Sequence, residues 1–133
     1  MGSRSRHLSI DIDRPVADVY AYAADPRNLP SWASGLAGAG LAYEDGHWVT
    51  ESPMGRVTFT FAPPNDFGVL DHDVTLPTGE TVHNPLRVIG DGDRTEVVFT
   101  LRQRPEMTDA EFERDADAVT RDLATLKAVL EAD

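Results

Sequence analysis

Cysteine is absent from the 133 residues, which removes disulfides, thiolate metal sites and a cysteine nucleophile. Lysine is nearly absent as well. Lys127 stands alone among twelve basic residues, which rules out most Schiff-base chemistry, since that needs a desolvated lysine inside a pocket. Positive charge is scarce overall: 12 Lys and Arg against 23 Asp and Glu leave a net charge of −11, a field that repels phosphate backbones and anionic membranes. No nucleic-acid partner is therefore expected. No apolar run approaches the roughly 18 residues of a membrane span, and the leader MGSRSRH lacks the apolar stretch of a secretion signal. The expectation is no membrane insertion and a cytoplasmic location. Missing motifs narrow the chemistry further. There is no GxSxG elbow, no Walker or Rossmann glycine pattern, and no HExxH or HxxxH spacing among His7, His47, His72 and His83. A serine hydrolase, a nucleotide cofactor and a bound metal are not indicated, and no cofactor is expected.

What is present reads as strands and turns over residues 36–102 and a long helix over 108–133. Phe112, Ala116, Val119, Leu123, Leu126 and Leu130 recur at intervals of three and four, so they share one stripe, while Glu111, Glu113, Arg114, Asp117, Arg121 and Asp122 fall elsewhere. Thr108 followed by Glu111 forms a capping box. Such a lone terminal helix needs a sheet to cover its apolar stripe. With no repeat, linker or low-complexity segment, residues 1–133 are expected to form one domain, large enough to bury about two thirds of its unfolded surface.

The turns propose a register. A two-residue loop at Asp45-Gly46 sets Tyr43 opposite Trp48 and Leu41 opposite Thr50. A tight turn at Ser52-Pro53-Met54-Gly55 then sets Trp48 opposite Phe59 and Thr50 opposite Val57. A three-residue loop over Pro77, Thr78 and Gly79 places Val74 by Val82, His72 by Asn84 and Leu70 by Leu86. A four-residue loop over Gly90, Asp91, Gly92 and Asp93 would face Leu86 with Val97, Asn84 with Phe99, Val82 with Leu101, and Arg87 with Glu96 on the wet side. The resulting inner face carries Leu41, Tyr43, Trp48, Thr50, Val57, Phe59, Phe61, Leu70, His72, Val74, Val82, Asn84, Leu86, Val97, Phe99 and Leu101. His72 and Asn84 are its polar members. A one-residue slip at Pro77 to Gly79 would bring His83 and Arg87 inside instead.

Upstream, Leu8, Ile10 and Ile12 alternate with polar residues as a strand. Pro15 then opens a short helix with the stripe Val16, Val19, Tyr20 and Ala23, which Asp25-Pro26 ends, and Pro30-Ser31-Trp32 suggests a second short helical turn. The strand HLSIDIDRP, the segment VADVYAYAADPRNLPSW with its spaced Val19, Tyr20, Asp25-Pro26 and Trp32, and the long terminal helix together resemble the START-like, or SRPBCC, helix-grip superfamily, in its polyketide cyclase/dehydrase-like branch. The resemblance spans nearly the whole chain. It implies an α+β fold: a curved seven-stranded antiparallel sheet around the C-terminal helix, in the order β-α-α-β6-α, with an elongated cavity between sheet and helix. Members bind lipids, sterols, hormones or polyketides there, and some catalyse cyclisation, dehydration or hydrolysis; fold alone does not choose among these.

The expected ligand-binding residues are Trp32, Trp48, Phe59, Phe61, His72, Asn84, Phe99 and Phe112. Each aromatic among them is equally at home as core packing, because buried aromatics supply much of a small domain's apolar area. His72 could be a general acid or base, could donate a hydrogen bond to a ligand carbonyl, or could be a satisfied structural histidine. Asn84 could offer a donor and an acceptor to a ligand, or be satisfied by water or a neighbouring carbonyl. Asp71 and Asp73 flank His72 in sequence but alternate to the opposite face, so they form no proton relay with it. Three functions remain: binding of a small hydrophobic ligand, a cofactor-independent cyclase or dehydratase using His72, and an interaction module whose cavity is filled by its own side chains. Two chains could pair through the first strand or the outer sheet face, although Arg87, Glu96 and the aspartates make that face wet.

Overall fold

A computed structural model describes residues 4–33, 40–52 and 55–132 of the chain. Strand β1 (Ser5–Ile12) is followed by helix α1 (Val16–Ala23), a 3-10 turn (Pro26–Asn28) and helix α2 (Leu29–Trp32). Seven strands come next: β2 (Leu41–Glu44), β3 (His47–Ser52), β4 (Gly55–Phe61), β5 (His72–Thr75), β6 (Thr81–Asn84), β7 (Leu86–Asp91) and β8 (Arg94–Arg102). Helix α3 (Asp109–Glu131) ends the chain. All strand pairs are antiparallel. They form two sheets, β2-β3-β4-β5-β6 and β1-β8-β7, giving eight strands where one sheet of seven is expected.

Pro85 accounts for the difference. It has no N–H to give a ladder, so the stretch expected to run unbroken from Val82 to Leu86 divides around it. β6 pairs with β5 alone, and β7 pairs with β8. The two sheets stay stitched across the break. The Pro85 carbonyl accepts from the Thr100 N–H at 3.0 Å, the Leu70 N–H donates to the Leu86 carbonyl at 2.8 Å, and Val69 bridges Arg87. The result is a bent antiparallel ribbon whose corner lies beside Leu70 and Leu86.

Most of the proposed register holds. Tyr43 pairs with Trp48, Leu41 with Thr50, Trp48 with Phe59 and Thr50 with Val57. Asp45 (φ 49°) and Gly46 (φ 83°) both occupy the left-handed region, as a tight two-residue hairpin requires. The Pro53-Met54 turn itself lies outside the described residues. His72 pairs with Asn84 and Val74 with Val82, so the slipped alternative is not adopted. The β7–β8 register does differ. Asp91 pairs with Arg94 around a two-residue loop with Gly92 at φ 65°, not a four-residue one. Leu86 therefore faces Phe99, Val88 faces Val97, and Arg87 lies opposite Val98 while Ile89 takes the place opposite Glu96. A shift of two residues preserves strand parity, which is why the inner face keeps its members. Tyr43 is the exception: on edge strand β2 it is 63% exposed and packs edge-on against Trp48 at 5.2 Å.

Helix α3 is secured at both ends. The Thr108 hydroxyl accepts from the Glu111 N–H at 3.1 Å and the Glu111 carboxylate from the Thr108 N–H at 2.9 Å, completing the capping box. At the other end Arg14 donates to the Leu130 carbonyl at 2.7 Å, Lys127 to the Asp11 carbonyl at 2.6 Å, and the Asp13 N–H to Glu131 at 2.8 Å. These bonds satisfy a late helix carbonyl and tie the helix to the end of β1. Phe112, Ala116, Leu123, Leu126 and Leu130 of the stripe are buried, and Val119 is half-buried.

Gly68 holds the loop before β5 in place. Its φ is 72°, its carbonyl accepts from the Val88 N–H at 2.9 Å, and a Cβ there would overlap the Val88 carbonyl oxygen. Gly68→Ala is expected to destabilise the protein by about 2–4 kcal/mol, combining left-handed strain with backbone overlap, read as a lower urea midpoint. An unchanged midpoint would mean that this loop does not brace β7.

Candidate functional site

An apolar chamber of about 290 Å³ lies between α3 and the inner face of the ribbon. This is near the lower end of the volumes usual for small-molecule sites, about 300–1,000 Å³. Helix α2 closes one side with Leu29, Trp32 and the following Ala33. Strand β4 supplies Val57, Phe59 and Phe61, and β5 supplies His72 and Val74. Leu76, Leu86 of β7 and Phe99 of β8 complete the sheet wall, and α3 presents Val119, Asp122 and Leu123. Strand alternation explains the β contributions, because residues two apart share a face. On α3 the spacing of three and four from Val119 to Asp122 and Leu123 puts all three toward the chamber.

His72 is the imidazole of this wall. Its ring stacks on Phe61 at 4.9 Å and lies 6.3 Å from Phe99. Its Nδ1 is 3.0 Å from the Leu70 carbonyl. A carbonyl oxygen only accepts, so Nδ1 carries the proton and, in the neutral ring, Nε2 keeps a bare lone pair. Burial among aromatic rings lowers the His72 pKa from its ordinary value of 6.5, opposed by the Leu70 hydrogen bond and by Asp71 and Asp73, with His83 pulling the same way as burial. The ring is thus an acceptor at neutral pH, and the expected donation to a ligand carbonyl does not fit this tautomer. Among the described residues the indole N–H of Trp32, 8% exposed, and the buried hydroxyl of Thr50 have no hydrogen-bond partner. Unpaired buried donors of this kind cost about 1–3 kcal/mol each.

Behind His72, on the outer face, Asp71 accepts from Arg87 Nε and Nη2, both at 2.8 Å, and from the Leu86 N–H at 2.9 Å. The Arg87 hydrogen bonds are the main reason its pKa falls to about 2. His83 Nδ1 lies 2.7 Å from Asp73. These groups clamp β5 to β6 and β7 across the Pro85 corner and so fix the strand that carries His72. Asp71 and Asp73 face away from His72's ring, as alternation predicts.

The expected site residues divide into four places. Trp32, Phe59, Phe61, His72 and Phe99 line the chamber. Asn84 lies in an adjoining groove of about 590 Å³, between β6, the end of β8 and α3, which shares Val74, Leu76, Phe99 and Val119 with the chamber. Trp48 opens onto a separate recess with Tyr43, Tyr20 and Leu70, reached on the far side of Phe59 and Phe61. Phe112 belongs to neither: fully buried with Leu101 and Ala116, it has the Arg4 guanidinium 5.0 Å above its ring and serves as core. Sequence reading missed Asp122, the carboxylate among the described lining residues, because it falls off the strictly apolar stripe. Its spacing of three from Val119 is the available signal. Among the described residues no cluster of three His, Asp or Glu side chains could hold a metal, and no helix is long and apolar enough to cross a membrane.

One long helix closing bent antiparallel strands over an apolar chamber places the protein in the helix-grip class. Residues 5–131 match the family described as "Polyketide cyclase / dehydrase and lipid transport", and the chain belongs to that family. Comparison with curated proteins finds no match. Solved structures of similar fold include the Zhui aromatase/cyclase from Streptomyces sp. R1128, at 14% identity and TM-score 0.71, covering 97% of this chain and 94% of that one. CalU16 from Micromonospora echinospora is 14% identical with TM-score 0.69, covering 98% and 76%. An uncharacterised protein from Bacillus thuringiensis is 12% identical with TM-score 0.73, covering 97% and 100%. At these identities the likeness is one of fold.

Two pH effects follow. A neutral folded His72 means that the unfolded chain takes up a proton near pH 6.5 that the folded chain does not. Stability from this residue is therefore complete above that pH and declines as the pH falls toward the lower folded value. His72→Leu should show a flatter urea midpoint between about pH 7.5 and 5 than the wild type; parallel curves would exclude a neutral buried ring. For Asp71 the stabilisation is present above 3.8 and is lost as the pH falls toward 2. Asp71→Asn should cost about 1–2 kcal/mol at neutral pH and lose less on acidification, while equal stability at pH 7 would count against the clamp.

Proposed function

We propose that residues 1–133 act as one START-like domain that binds a small apolar or aromatic molecule in the chamber between the ribbon and α3. The observation that carries this reading is the chamber itself: about 290 Å³ walled by Trp32, Phe59, Phe61, Phe99 and Leu123. Desolvation against such walls contributes about 25 cal/mol per Å² of apolar surface, enough for micromolar affinity after association costs. Its volume also counts against the reading of a filled interior and an interaction module. Membership of a family described by both cyclase/dehydrase and lipid transport agrees with a ligand but leaves its kind open.

A second reading has one observation in its favour. The bare Nε2 of His72, set in an apolar wall, suits proton abstraction in a cofactor-independent cyclase or dehydratase. Asn84 is the cross-strand neighbour of His72 but lines the adjoining groove instead of the chamber. Turnover by His72→Leu equal to the wild type on a candidate substrate would eliminate it.

Val119→Phe tests binding directly. Val119 lines the chamber from α3, and a phenyl ring there fills it without disturbing the helix ends. The variant is expected to fold with an unchanged or higher Tm and to lose affinity for apolar aromatics at least tenfold. The readout is quenching of Trp32 in a Trp48→Phe background. Undiminished quenching would place the ligand elsewhere.

A further inference from the structure

The chamber's polarity is asymmetric in a way that selects the ligand's functional group. We propose that His72 is a specificity-determining acceptor, so that the chamber prefers an apolar molecule bearing an O–H or N–H donor over the same skeleton bearing only an ether or carbonyl oxygen. The inference rests on the binding reading above and adds the chemical class of the guest.

Three observations support it. Nδ1 of His72 is committed to the Leu70 carbonyl at 3.0 Å, which fixes the tautomer and leaves Nε2 as the ring's remaining polar atom. Rotation of the ring is resisted by Phe61 stacked at 4.9 Å and by Phe99 at 6.3 Å. No protein donor within hydrogen-bond reach meets Nε2 among the described residues, although the side chain lines the chamber. An incoming hydroxyl completes this acceptor. An incoming carbonyl or ether instead sets lone pair against lone pair, leaving two acceptors desolvated and unpaired. Burial, by lowering the His72 pKa, keeps the ring in its accepting form at neutral pH.

The test compares naphthalene, 2-naphthol and 2-methoxynaphthalene, which share one bicyclic skeleton, by quenching of Trp32 in the Trp48→Phe protein at neutral pH. The expected result is 2-naphthol tighter than each of the other two by about fivefold to tenfold, as one net hydrogen bond supplies. His72→Leu should bring the three affinities together. Since that variant removes a packed ring, a second measurement uses the unaltered His72: the unprotonated-type ¹⁵N resonance of Nε2 should move on addition of 2-naphthol and stay in place with naphthalene. Equal binding of all three with a motionless Nε2 resonance overturns donor selection while the apolar chamber stands. Preference for 2-methoxynaphthalene overturns it too, because His72 would then be donating. Binding of none overturns the chamber as a ligand site and the proposal with it.

Discussion

Helix α3 is fastened along β1 and at its two ends, and this fastening leaves its Val119 and Leu123 side facing β4, β5 and β8 across open space. Its close backbone contacts are with β1, α2 and β8, whereas the strands beyond the Pro85 corner bend away. A flat sheet would have met the whole stripe and closed. A bent ribbon meets it on one side only, and side chains from both walls project into the gap without filling it. Core packing and ligand room therefore share one apolar stripe: Phe112, Ala116, Leu126 and Leu130 are spent on cohesion, while Val119 and Leu123 form a wall.

The corner is held from outside. Asp71 receives the Arg87 fork and the Leu86 N–H on the wet face, with Asp73 and His83 paired next to them. Exposed ion pairs contribute little in general, but this one is bidentate, shared with a backbone donor, and anchored on a carboxylate with only 16% side-chain exposure. Its consequence lies on the opposite face. The strand that presents Asp71 and Asp73 to the outer face presents His72 inward, so the clamp holds the imidazole in place even though both carboxylates oppose the neutral form that burial favours. Leu70, two residues earlier, supplies the carbonyl that orients the ring.

Local patterns made much of this legible in the sequence. The α3 stripe, its capping box, the Asp45-Gly46 hairpin and the pairing of His72 with Asn84 follow from spacing and turn chemistry, which act over a few residues. Three features were hidden because they depend on sequence-distant geometry. Alternation from Val82 to Leu86 predicts one strand through Pro85, yet the missing N–H there divides the sheet in two. The Gly92 turn tightened to two residues and moved Leu86 from Val97 to Phe99, an error of even length that left every inward residue inward. Placement along the face was the third. Phe112, Trp48 and Asn84 share the phase of the chamber residues but sit beyond its ends, in the core, in a recess and in a groove. Phase tells which side a residue faces, not which compartment along that side it reaches. Asp122 shows the converse, a charged residue whose spacing fits the chamber even though its chemistry does not fit a stripe.

Charge and tautomer together constrain what such a chamber can hold. The chain carries a net charge of −11, so an anionic guest would face an unfavourable field. A cationic guest would be drawn by the same field but would lose its hydration among apolar walls. An uncharged guest avoids both costs. Among uncharged groups only one that can donate completes the His72 lone pair, and a hydroxyl does so while adding little volume to a chamber of about 290 Å³. The size of the gap, the field around it and the fixed imidazole tautomer agree with the proposed guest, a compact, neutral, hydroxylated apolar molecule.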